Sequence, residues 1–164
     1  MLITETPSVF ENLFLSLGDT GVGLFLAGST ASFAAVESLH LLGLALLGGA
    51  ALVTDLTVLR VVFRRADPAR IAAALFPLLL IGLSIMVVSG VLLVSAGPLK
   101  YWLNPLFGPK LLALLFAVVA QFLLYPVILK WNVQKSTNLS KVIAAASILI
   151  WITVAVIGRW VGLI

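Results

Sequence analysis

One helix-forming stretch carries Glu37, His40 and Asp55 inside an otherwise apolar run, and those three side chains are the chemistry on offer in this sequence. At 100° per residue Glu37, His40, Gly48, Ala51 and Asp55 fall within one narrow stripe, so the helix has a polar and small-residue face along most of its length. A face of this kind must point into protein. An ionisable group at membrane depth is costly enough to mark a functional site by default. His40, the single histidine of the chain, offers a metal ligand or a proton carrier, with Glu37 one turn away to orient it. Lys110 near the start of a later apolar run and Arg159 near the end of the last one bring complementary charge to the same half of the membrane. Gln121, three turns from Lys110 on the same helix face, adds a hydrogen-bonding group near the midplane. Each has a plainer reading as well. Glu37 and His40 can fix helix packing alone, Lys110 and Arg159 can snorkel to the interface, and for Arg159 beside Trp160 snorkelling is the stronger of the two. Met86 reads as lipid-facing or as core packing.

Other chemistries are excluded by composition. The chain has no cysteine, which removes disulfides, thiolate metal sites and thiol catalysis, and one histidine cannot build a multi-histidine metal cage. There is no GxSxG, P-loop or HExxH, and His40 has no serine partner recognisable from spacing. Ten Lys and Arg are spread over short loops and helix ends, a pattern for orienting the chain in a bilayer and not for binding nucleic acid.

The elements that must position these residues are legible from hydropathy. With 62% hydrophobic and 10% charged residues in 164, the chain has too few polar groups to cover a water-soluble globule. Four long apolar runs predict helices over 33–62, 70–96, 106–129 and 139–163, each about the 20 residues or more that a span requires. The expected fold is an all-α, four-span, up-down bundle over 33–164. Residues 1–32 precede it as an interfacial segment: Ser8 and Glu11 give a capping-box pattern for a short amphipathic helix, and Leu24–Ala27 is too short to cross by itself. No basic region precedes the first apolar run, so no cleaved signal peptide is expected.

Arg60, Arg64, Arg65 and Arg70 flank the first loop and Lys130, Lys135 and Lys141 the third, against Lys100, Lys110 and Arg159 on the other side. Seven against three puts the first and third loops in the cytoplasm and both termini outside, with Tyr101, Trp102 and Trp160 in the outer aromatic belt and Trp131 in the inner one. Ala45 with Gly49, Ala113 with Ala117 and Gly158 with Gly162 have small-xxx-small spacing, which suits close helix contacts within the bundle or between copies in a homo-oligomer.

Glu37–Arg60 (ESLHLLGLALLGGAALVTDLTVLR), the pair Ser89–Gly90 and Asn104–Leu112 (NPLFGPKLL) together resemble a family of small bacterial inner-membrane proteins of unknown function. In outline that family is similar, at a distance, to the copper-resistance D domain and to the oxygen-independent membrane protoporphyrinogen oxidase. In the latter an early-helix histidine and a later lysine followed by leucine are associated with haem binding, and His40 and Lys110 occupy comparable places here. Further histidines common in those groups are missing from this chain. The resemblance implies a b-type haem with His40 as axial metal ligand, Glu37 orienting the imidazole, Lys110 and Arg159 near the propionates, and a redox protein or quinone as electron partner. The alternatives are a small ion or metal transporter, with Glu37, His40, Lys110 and Asp55 as a polar relay, and a structural subunit of a membrane complex.

Overall fold

The computed structural model describes residues 9–124 and 138–163. All regular structure among them is helical: α1 (Val9–Leu15), a 3₁₀ turn at Ser16–Asp19, α2 (Gly21–Ala27), α3 (Thr30–Val58), α4 (Pro68–Ser95), α5 (Pro98–Trp102), α6 (Phe107–Val119) running into a π-turn at Ala120–Leu124, and α7 (Asn138–Leu163). α3, α4 and α7 are each long and apolar enough to cross a membrane. α6 starts where its apolar run predicts. Its expected end at 129, the capping residue Ser8, and the third-loop residues Lys130, Trp131 and Lys135 lie outside the described residues.

Local chemistry sets the helix ends. Ser29 caps α3 by accepting from Ser32 N–H, and Asp67 caps α4 by accepting from Ala69 N–H with Pro68 in the first turn, where its missing N–H costs nothing. α3 begins three residues before the expected 33 and stops at Val58 instead of 62. Arg60 and Phe63 take left-handed backbone, at φ 61° and 43°, which an L-residue adopts at a cost of about 1 kcal/mol. The Arg60 guanidinium braces the turn by donating to the carbonyls of Arg64 (3.0 Å) and Ala66 (2.8 Å). One of the seven cations that argue orientation therefore also holds the loop in shape.

α3 and α4 are the most intimately packed pair. A Cβ placed on Gly82 would lie 2.6 Å from the backbone nitrogen of Leu47, and one on Gly43 would lie 2.8 Å from Ile85, so hydrogen at both positions is what lets the helices touch. Leu47, Ala50, Ala51, Leu79, Met86, Ala117, Trp151 and Val154 form the core between α3, α4, α6 and α7. Met86 belongs to this core and does not face lipid.

The N-terminal segment is docked onto the bundle. α1 with its 3₁₀ turn and α2 meet at 66° and together have the length and apolarity of a broken span or a re-entrant loop. Leu24–Ala27, too short alone, is the second limb of that bend. Gly23 sits so close to the carbonyl of Ser95 that a Cβ there would be 2.7 Å away, and Phe14 packs at 5.4 Å, tilted, against Trp102 and at 6.0 Å, edge to face, against Phe107. The hairpin thus covers the end of the bundle at which α4, α5 and α6 meet. Val9, Phe10 and Leu13 on α1 stay exposed, an apolar face that no described part of the chain covers.

A candidate cofactor cavity at one end of the bundle

Glu37, His40, Lys110 and Arg159 line one cavity of about 350 Å³ between α3, α4, α5, α6 and α7. Ligand pockets usually span about 300–1,000 Å³, so this one is at the small end. Its floor is apolar, with Leu41, Leu44, Leu114 and Val154, while Lys100, Tyr101 and the four sequence candidates bring polarity to it. The lining holds three cations, Lys100, Lys110 and Arg159, against one carboxylate, Glu37, and is suited to an apolar body carrying negative groups.

His40 is held by α4. Its Nδ1 lies 2.8 Å from Ser89 Oγ, and the Ser89 hydroxyl gives its single proton to the Ile85 carbonyl one turn back. With that hydroxyl donating to Ile85, the tautomer protonated at Nδ1 completes the contact with Ser89, and in that tautomer Nε2 keeps the lone pair for a ligand. Gly90 makes room for the ring, since a Cβ there would lie 3.4 Å from His40 Cε1. Metal-binding histidines characteristically donate their second nitrogen to such an oxygen. Ser89 is fully buried, with its hydroxyl turned to the Ile85 carbonyl.

Glu37 does something other than orient His40. It pairs with Arg159 at 3.8 Å, and with side chains 43% and 64% exposed the pair is worth about 0–1 kcal/mol. The orienting oxygen expected from Glu37 is supplied by Ser89, and Arg159 combines an exposed, snorkelling stem with an ion pair. Lys110 lays its stem across Gly158 of α7, whose Cβ position is 3.5 Å from Cε, and its ammonium has no hydrogen bond or ion pair among the described residues. Lys100 (3.5 Å to Gly162 O) and Asn104 (3.3 Å to Val161 O) cap the last carbonyls of α7 and fix the cavity's outer rim. Burial first, and Glu37 second, raise the Tyr101 phenol above its ordinary pKa, so at neutral pH it stays a hydrogen-bond donor.

The two remaining polar candidates lie elsewhere. Gln121, in the π-turn, accepts from Trp151 Nε1 at 3.4 Å and ties that turn to α7. Asp55 is fully buried near the C-terminal end of α3. Among the described residues no group of three or more His, Cys, Asp or Glu side chains is placed to hold a bare metal ion.

Residues 13–164 match the model of a family of unknown function (DUF6644). The chain belongs to this family. The match covers α3 to α7 with all of the cavity's lining, so the DUF6644 unit is the bundle together with most of its N-terminal hairpin. No curated protein and no solved structure matches the chain. The likeness to the copper-resistance D domain and to the protoporphyrinogen oxidase finds no support in these comparisons.

Proposed function

We propose that this DUF6644 protein is a b-type haem protein of the bacterial inner membrane, with His40 as axial ligand, working in electron transfer or porphyrin chemistry. The observation that carries the reading is the pinned imidazole: Nδ1 is held 2.8 Å from Ser89 Oγ, which in the Nδ1-protonated tautomer leaves Nε2 as a ligand atom on the wall of a cavity that is apolar in its floor and cationic in its lining. A lone histidine suits a metal that arrives with most of its ligands, as iron does in a porphyrin, better than a bare ion. Lys110, Lys100 and Arg159 would hold the two propionates, with Tyr101 as a neutral donor beside them. When bound, haem supplies a one-electron couple, and the apolar floor and the Ser89 bond tune its potential.

The topology proposed with it has four spans, the fourth being α6 with the chain that follows, both termini outside, and the cavity in the outer half. A quinone or a second redox protein exchanges electrons there. A polar relay from His40 to Asp55 fits less well, because Leu44, Gly48 and Leu52 intervene and such a lining holds no water.

The test is a reduced-minus-oxidised absorption spectrum of the detergent-purified protein from haem-replete cells. A b-type Soret band and α-band are expected. A colourless protein that also takes up no added haem overturns the proposal and leaves a structural role as the better account.

A further inference from the structure

The outer cavity has a neighbour along α3. A second cavity of about 180 Å³ lies deeper between α3 and α7, and Leu44 and Ala155 line both. Apart from Asp55 its walls are apolar, among them Gly48, Gly49, Leu52, Trp151 and Ile152. Away from the Asp55 end, walls of this composition offer water no hydrogen-bond partners and suit hydrocarbon. Gly48 and Gly49 are unlike the glycines that join α3 to α4. A Cβ added to either would meet nothing within 4 Å, so neither is there to let two backbones approach. Glycine is the poorest helix former after proline, and two in a row at mid-helix leave a trough on α3 that no part of the described chain fills. From Leu44 to Leu52 the trough is about 12 Å long at 1.5 Å per residue. It opens sideways at Gly49, Leu52 and Ile152, which are exposed.

We infer that the ligand of the outer cavity carries one long hydrocarbon chain, and that the chain is seated in this trough. The inference rests on the haem reading for the head group. A porphyrin of the b type has both carboxylates on one edge. With that edge at Lys100, Lys110 and Arg159, the opposite edge faces Leu44 and Ala155, where the trough begins. The ligand class is therefore a haem with an isoprenoid chain on the edge opposite its propionates, with the plain porphyrin as a weaker occupant.

The experiment titrates the apoprotein, in lipid nanodiscs, with haem b and with a farnesyl-substituted haem, for the wild type and for Gly48→Leu and Gly49→Leu. A Cβ at either position meets nothing within 4 Å, and circular dichroism of each variant checks that the helical fold is kept. The chain-bearing haem is expected to bind about tenfold tighter or more in the wild type, since the chain adds buried apolar area. That advantage should vanish in the filled variants while the affinity for haem b stays unchanged. Equal affinities in the wild type, or an advantage that survives the filled trough, overturn the inference, the latter because the chain then lies in bulk lipid. A wild type that binds neither haem overturns the reading of the outer cavity itself, and the inference with it.

Discussion

Replacing Gly82 by leucine is expected to destabilise the bundle by about 3 kcal/mol, the upper end of the overpacking range, and to lower its unfolding temperature in detergent accordingly. The cause is backbone contact. A Cβ on Gly82 would sit 2.6 Å from the nitrogen and 2.9 Å from the Cα of Leu47, and neither atom belongs to a side chain that can swing away. The two helices would have to separate, and the Leu47, Leu79 and Met86 core between them would lose its contacts. Gly49→Leu is the matched control. Nothing lies within 4 Å of its Cβ position, so the same substitution there is expected to be neutral or to stabilise by up to about 1 kcal/mol through better helix propensity. Thermal unfolding followed by circular dichroism separates the two. Equal effects would mean that the α3–α4 approach is looser than described.

Ser89→Ala is expected to weaken haem binding about 10–100-fold, the usual effect of removing the oxygen that orients a ligating histidine. In the wild type the serine has two contacts: it gives its proton to the Ile85 carbonyl, and its oxygen lies 2.8 Å from His40 Nδ1, whose proton it accepts in the Nδ1-protonated tautomer. The alanine variant keeps the helix and loses the acceptor. The ring is then free to change tautomer, and it becomes a weaker donor to ferric iron, so the midpoint potential should rise as the affinity falls. Haem titration together with a redox titration reads both. An unchanged affinity and potential would reduce Ser89 to a helix-packing residue.

The sequence made one face of α3 visible and hid the other. Glu37, His40 and Asp55 are polar against an apolar background, so their shared stripe could be read from spacing, and that stripe does face cavities. About 100° round the helix, Gly43, Leu47, Ala50 and Thr54 form the surface buried against α4. Lipid and protein interior are equally apolar, so hydrophobic periodicity carries no mark of which apolar stripe meets a neighbour. Small-xxx-small spacing marked some close contacts and not others. Ala113 and Ala117 pack at the core and Gly158 lies against Lys110, whereas Ala45 and Gly49 are exposed, and the tight α3–α4 contact is made by Gly43 and Gly82 on different helices.

The His40–Ser89 bond was hidden by its commonness. Ser38, Thr54, Thr57, Ser84 and Thr153 all return their hydroxyl proton to the carbonyl four residues back, as Ser89 does. Only the three-dimensional packing of α3 on α4 distinguishes the one serine whose oxygen also meets a histidine 49 positions away. Convergence of Lys110 and Arg159 with Glu37 and His40 was legible, because span length and loop polarity put all four at one end. Which of them would pair was not, since that depends on the register of α7 against α3.

The most direct measurement of the central claim is the absorption spectrum of His40→Gly, purified with haem present, before and after addition of free imidazole. The variant is expected to lack the b-type Soret and α-bands and to regain them with imidazole, which fills the space of the missing ring and supplies the same nitrogen donor. A variant that retains the wild-type bands without imidazole would contradict His40 as the axial ligand.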